Sequence, residues 1–256
     1  MAISIDTVYQ KVLTLANKEQ RGYITPQEFN LFADMAQKEI FEQYFYDVNQ
    51  WTRQHGNEDG YSDMRSNLQE KLSLFEYTAG KDNITVKNEW GDISLEADIP
   101  NLYRLGAVFI KYPENIGYEE AELVDDMREL RLLGRSKLTK NSRKRPLYLR
   151  YFNGYDRIKV YPYPVNDDGS QILSPTVTNV RIDYMNKPTK PNWGYIVVNE
   201  KALYNSSASV NFQLHPAEES ELVYKILKFA GISLQKQDIT QAGQGLESTQ
   251  ISQEKK

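Results

Sequence analysis

The sequence predicts an α+β fold: a helical bundle made from N-terminal helices and a C-terminal helix, an inserted β-sandwich-like domain, and an extended C-terminal arm. Three observations predict it. Apolar residues recur at helical spacing through the first third of the chain. From about Asn83 they gather in short runs of strand length. At His215 a capped amphipathic stretch brings helical spacing back before a polar tail. The expected domains are a helical region over residues 1–80, a β-rich insertion with one helix over 81–214, a C-terminal helix over 215–234 that packs on the helical region, and an arm over 235–256. The chain contains no internal repeat.

The first helix is expected after Asp6 as cap, with Val8, Val12, Leu15 and Ala16 on its apolar face, and a break follows at Arg21-Gly22. Thr25-Pro26-Gln27-Glu28 is the clearest local signal. It places a hydroxyl at the N-cap, proline at the first helical position and a carboxylate three residues after the cap, which together form a capping box. Beyond it Phe29, Phe32, Ala33, Ala36, Ile40 and Tyr44 share one helical face, which Phe41 and Phe45 widen. After the polar connector His55 to Gly60, Ser62 opens a further helix carrying Met64, Leu68, Leu72 and Phe75.

Ile84–Val86 and Ile93–Leu95 read as short strands around Gly91, and Leu102–Tyr112 as a core strand. Tyr118–Gly134 reads as a helix with Leu123, Met127, Leu130 and Leu133 on one side. Pro146–Phe152 and Arg157–Tyr163 form a hairpin joined at Asn153-Gly154, a favoured turn pair. Val177–Met185 alternates with strand period, Tyr195–Val198 and Val210–Leu214 add two short strands, and Pro188, Pro191 and Trp193 mark a stiff connector. In the last helix Leu222, Val223, Ile226, Leu227 and Ala230 share a face, with His215 as cap and Gly231 as the expected C-cap glycine.

After that helix the tail carries only Ile239, Leu246 and Ile251 as large apolar side chains and no aromatic residue. Such a segment buries too little apolar surface to offset its ordering entropy, so it is expected to need a partner outside the chain. With 256 residues the chain is long enough for a real core, and the net charge of −4 gives no overall attraction to nucleic acid. Cysteine is absent, which removes disulfides and thiolate chemistry. No stretch approaches the roughly 20 apolar residues of a membrane span, and Met1 to Leu15 lack the pattern of a signal peptide. A soluble protein without membrane contact is expected.

The catalytic inventory is nearly empty. The only histidines are His55, in a polar loop, and His215, at a helix start. No zinc-ligand spacing, P-loop or dinucleotide fingerprint occurs. Asp125-Asp126 falls in the expected helix, where adjacent residues face apart, and Asp167-Asp168-Gly169 matches a turn. Glu218-Glu219 suits the positive end of the last helix. No enzyme, cofactor or metal is expected. One charged run remains: Arg128, Arg131, Arg135, Lys137, Lys140, Arg143, Lys144 and Arg145. It is either a solvated helix end or a basic surface facing DNA or an acidic partner. Without interleaved aromatics, stacking on single strands is not expected.

Four stretches resemble virion structural proteins of tailed bacteriophages, particularly crAss-like and related short-tailed phages: Ile5 to Phe45, Lys144 to Pro162, Val180 to Tyr195 and Asn211 to Leu234. They cover most of the chain in order. The layout is also similar to tail tubular protein A adaptors of short-tailed phages, although the chain is longer than the simplest adaptors in its β region and tail. The resemblance implies a virion protein, assembled in the bacterial host cytoplasm, that forms a twelve-fold homo-oligomeric ring joining portal to tail around a channel for packaged DNA. In such a ring Arg135, Lys137, Lys140, Arg143, Lys144 and Arg145 would face DNA or a partner. Phe41, Phe45, Phe229, Ile239, Leu246 and Ile251 would meet neighbouring subunits or rings. The alternative is a particle-surface module that recognises host glycans or a capsid component, for which Trp90, Trp193 and tyrosines would have to be grouped and exposed. A wall-degrading hydrolase ranks third, because no obvious carboxylate pair is present.

Overall fold

The computed structural model describes residues 2–17, 24–53, 58–80, 84, 92–112, 117–152, 154–162, 180–233, 241 and 244–249. The fold is mixed α/β with a curled sheet, and the chain divides into two compact units. One comprises Met1–Leu74 with Pro188–Lys256, and the other Phe75–Lys187.

The first unit holds α1 (Ile5–Asn17), α2 (Pro26–Arg53), α3 (Glu58–Ser73), the hairpin β8 (Tyr195–Val198) with β9 (Lys201–Tyr204), and α6 (Glu219–Ser233). Here α6 packs on α1 and α2, and α3 packs on α2. The capping box forms as its spacing demands. The Thr25 amide and hydroxyl donate to Glu28 Oε2 at 2.9 and 2.8 Å, and the Glu28 amide donates back to Thr25 Oγ1 at 3.3 Å. Those bonds pull the Glu28 carboxyl below its ordinary value. The α2 face predicted from spacing is the buried one, with Phe29, Ala33, Ala36, Ile40 and Tyr44 all in the core.

Three local expectations for this unit are corrected. Asp6 lies inside α1, not at its cap, and its Oδ1 accepts from Trp193 Nε1 at 3.0 Å. Gly231 lies within α6, which continues to Ser233. Val210–Leu214 forms no strand; Val210 and Phe212 make isolated bridges to Asn192 and Ile3. His215 does cap, its Nδ1 accepting from the Ala217 amide at 3.3 Å at the head of a 3-10 turn. The segment from Pro188 to Leu214, expected in the β insertion, belongs with the helices. Polar side chains explain why. Buried Gln37 donates to the Thr189 carbonyl at 2.8 Å and accepts from the Gln213 amide at 3.0 Å, so both ends of its amide are satisfied. Asn30 likewise accepts from the Trp193 amide at 2.7 Å.

The second unit is a seven-stranded sheet in the order β1 (Glu76–Ala79), β7 (Val180–Asn186), β3 (Leu102–Ile110), β4 (Glu119–Val124), β5 (Leu147–Phe152), β6 (Asp156–Tyr161) and β2 (Asp92–Ser94). A short helix, α4 (Leu95–Asp98), follows β2, and α5 (Met127–Leu133) follows β4. The sheet curls because β4 changes partner along its length. Glu119 to Ala121 pair antiparallel with β3, whereas Glu122 to Val124 pair parallel with β5. Both halves therefore face one core, which contains Val108, Ile110, Tyr148, Ile158, Val160, Val180 and Ile182. Each such side chain contributes roughly 1.5–3 kcal/mol by burial.

The stretch expected as a helix from Tyr118 to Gly134 is split. Its first part is β4, and the helix begins only at Met127. Glu, Ala and Leu favour helices locally, but pairing to two neighbouring strands overrides that weak preference. Of the expected strand Ile84–Val86 only Ile84 lies among the described residues, where it is buried; Val86 and Gly91 lie outside them. Two strands were not anticipated: β1, directly after Phe75, and β9.

Candidate interaction surfaces

The predicted basic run is the crossover between β4 and β5. Parallel neighbours require the chain to return along the sheet, and residues 125–146 do this through α5 and an irregular loop. Asp126 caps α5, its Oδ1 accepting from the Glu129 amide at 2.6 Å, while Glu129 Oε2 accepts from the Asp125 amide at 3.1 Å. Asp126 is thus the N-cap of α5 and Asp125 precedes it, which corrects their placement inside a helix. No residue of α5 is buried. Leu123, Met127 and Leu132 are exposed, and Leu138 is 90% exposed. Of the apolar residues read from the spacing, Leu123 and Met127 are exposed and Leu130 and Leu133 half-buried.

Around these side chains Arg135, Lys137, Lys140, Arg143 and Lys144 are exposed, while Arg145 is half-buried. Arg145 is committed to its own sheet: its Nε and Nη2 donate to Glu122 Oε2 at 3.1 and 2.7 Å. The crossover holds eight cations and three carboxylates in a chain whose net charge is −4. It forms a locally positive, partly apolar surface.

The residues expected at subunit contacts separate. Phe41 and Phe45 are buried within the chain and pack edge-to-face at 5.1 Å, so they cannot supply an outward flank. Phe229 is half-buried and Leu246 exposed, whereas Ile239 and Ile251 lie outside the described residues. An apolar surface that sequence reasoning missed is the hairpin β8–β9. There Ile196, Val197, Val198 and Leu203 are 47 to 63% exposed. The missing signal was β9, whose turn (Asn199 and Glu200, φ 48° and 62°) contains no glycine.

Trp193 anchors the root of that hairpin. It is buried, with Tyr9 at 4.2 Å and Tyr195 and Tyr204 each at 5.9 Å between ring centroids. Trp90 lies outside the described residues. A groove of about 610 Å³ runs between α1 and α6, with Leu15, Val223 and Tyr224 in its lining and the Lys11–Glu219 pair at 2.7 Å along it.

Part of the arm, residues 244–249, forms a helical turn against the chain's own α6, which corrects the expectation that only another chain would hold it. Glu247 is buried and accepts from Lys225 Nζ at 2.7 Å and Lys228 Nζ at 3.1 Å. Lys225 also reaches Glu39 at 3.0 Å and Glu221 at 3.5 Å. Burial alone would push Lys225 down and Glu247 up. The ion-paired hydrogen bonds outweigh it, so Lys225 sits above and Glu247 below the ordinary value.

Among the described residues no group of three or more His, Cys, Asp or Glu could hold a metal ion, and no helix is long and apolar enough to cross a membrane. Comparison with known proteins found no matching family model and no matching curated protein.

Proposed function

We propose that the chain is a phage virion structural protein, a non-enzymatic adaptor of the head–tail connector that assembles as a ring, links portal to tail and borders the path of packaged DNA. In this reading the helices form a bundle around α2 and α6, and the curled sheet is the inserted sandwich-like domain. One observation carries it: both units keep large apolar side chains on their outside, at β8–β9 in one and along the α5 crossover in the other. Surfaces of this kind mark contacts with other chains. The twelve-fold number and the portal and tail neighbours come from the resemblance. The crossover cations suit a DNA-facing or acid-facing role, since a local positive surface attracts phosphate whatever the overall charge.

Burial of Trp193 weighs against the glycan-binding alternative, which needs an exposed aromatic platform. Light scattering and negative-stain microscopy of the chain, alone and with a portal ring, test the proposal. Rings or portal-bound rings support it, and a chain that remains monomeric with every particle component overturns it. Reversing the charge of Arg143 and Lys144, which leaves the Arg145–Glu122 pair of the sheet intact, is expected to block particle maturation, and normal maturation would remove the DNA-facing role.

A further inference from the structure

The contact between the arm and α6 is held by charge, not by apolar packing. In the 244–249 turn Glu247 is the buried residue, whereas Leu246 is 45% exposed. The turn is built from within, since Ser248 Oγ and Thr249 Oγ1 donate to the Gly245 carbonyl at 2.9 and 2.7 Å. Its target is a socket on α6 and α2: the Lys225 side chain, 2% exposed, with Lys228, Glu39 and Glu221 around it. Glu39 and Glu221 answer part of the Lys225 charge. Glu247, at 2.7 Å from Lys225 and 3.1 Å from Lys228, is the carboxylate that hydrogen-bonds to both ammoniums, so the socket favours a segment that presents a carboxylate at this position. In this chain Glu247 presents it, and every other copy carries the same residue.

We infer that residues 244–249 are an exchangeable clasp: the Lys225–Lys228 socket of one copy accepts the Glu247 turn of a second copy as readily as its own, and copies associate through that exchange. The tether permits it. Residues 234–243 span at most roughly 35 Å when extended, enough to reach the home socket or one on a copy alongside. Exchange conserves every contact of the clasp, so concentration and tether length decide between closed and exchanged forms. The inference deepens the assembly reading and rests on it only for the premise that copies meet. The two fail separately, because exchange is read on this chain alone and the connector role with a portal ring.

Removing residues 234–243 from the full chain joins Ser233 directly to Gln244, so with the 244–249 turn intact Glu247 lies no more than roughly 9 Å from Ser233, short of the roughly 12 Å of helix back to Lys225. The Glu247–Lys225 contact within one chain is then blocked. The deletion is expected to double the mass seen by light scattering or raise it further, and adding Glu247→Ala is expected to return it to the monomer. A monomeric deletion variant, or an oligomer indifferent to Glu247→Ala, overturns the inference. A second experiment covers a deletion that fails to fold. Full-length Glu247→Lys and Lys228→Glu chains are each expected to stay monomeric. Mixed, they should form a heterodimer in which Glu247 of the second chain enters the intact socket of the first. Absence of that heterodimer at chain concentrations up to roughly 1 mM, the effective-concentration scale of a short flexible link, also overturns it.

Discussion

The hairpins β5–β6 and β8–β9 are both antiparallel and pair strands only two or three residues apart in sequence, yet they sit in opposite surroundings. In the first, paired from Leu147↔Tyr161 to Phe152↔Asp156, the sheet continues on each side into β4 and β2. Leu147, Tyr148, Leu149, Ile158 and Val160 are all buried. In the second, paired from Tyr195↔Tyr204 to Val198↔Lys201, the sheet has two strands and its β-branched residues face out. A two-stranded hairpin is marginal in water without further packing. The first is held along its length by a core, the second only at its root by Trp193 and its neighbours. An element held at one end and apolar at the other is suited to finish its packing on another chain.

The largest effect should come from the core-held hairpin. Ile158 is fully buried and Ile158→Ala should destabilise the protein by about 2–5 kcal/mol, as truncations in close-packed cores do. A urea titration checks this through a lowered midpoint; a change below roughly 1 kcal/mol would mean that the sheet relaxes around the gap and the contrast between the hairpins is weaker than drawn.

Next come the glycines at the root of one hairpin and the tip of the other. A Cβ on Gly194 would lie 2.7 Å from the Ala208 carbonyl carbon, with backbone that cannot swing away, so Gly194→Ala should cost about 1–3 kcal/mol through overpacking. At Gly154 a Cβ meets open space but φ is +75°, so Gly154→Ala should cost only the roughly 1–2 kcal/mol of a left-handed backbone. Amide exchange is expected to quicken across β8–β9 in the first variant and to change only near the turn in the second.

Thr25→Ala should cost about 1 kcal/mol by removing the cap of α2. Gln27 of that first turn donates to the Tyr195 hydroxyl at 3.4 Å and Asn30 accepts from the Trp193 amide, so fraying should also loosen the root of β8–β9. The pH dependence has a fixed sign. The Glu28 carboxyl is held below its ordinary value by Thr25, so its contribution is complete above the unfolded value of roughly 4.3 and is lost as pH falls through the lower folded one. The backbone amide of residue 25, the larger cause, survives Thr25→Ala, so the comparison uses Glu28→Gln. Wild type should lose more stability than Glu28→Gln on acidification below that point, and parallel curves would remove the assignment.

The two hairpins also show what was legible. Asn153-Gly154 announced β5–β6 because a glycine turn between alternating runs is a local signal, and Thr25 to Glu28 announced α2 for the same reason. Asn199-Glu200 reaches positive φ without glycine, so no local signal announces β9, and nothing local shows that Gln37 and Asn30 bind residues 188–214 to the helices. The basic run was visible as composition. That it is a crossover between parallel strands depends on β4 pairing with β5, a contact between distant residues. The Glu247–Lys225 clasp was hidden in the same way, since a polar tail reads as solvated until its carboxylate meets a buried lysine.

The smallest effect on the isolated chain should come from the outer hairpin. Ile196 is 55% exposed, so Ile196→Thr keeps a β-branched side chain in β8 and should change stability by no more than roughly 0.5 kcal/mol. If β8–β9 completes its packing on another chain, the same substitution places a hydroxyl in a dry contact and should weaken association with the particle well beyond its effect on folding. Parallel measurement of unfolding and of incorporation into particles separates the two. Unchanged incorporation with Ile196→Thr and with Val198→Thr would show that the hairpin stays in water, and that its exposed apolar face has no part in assembly.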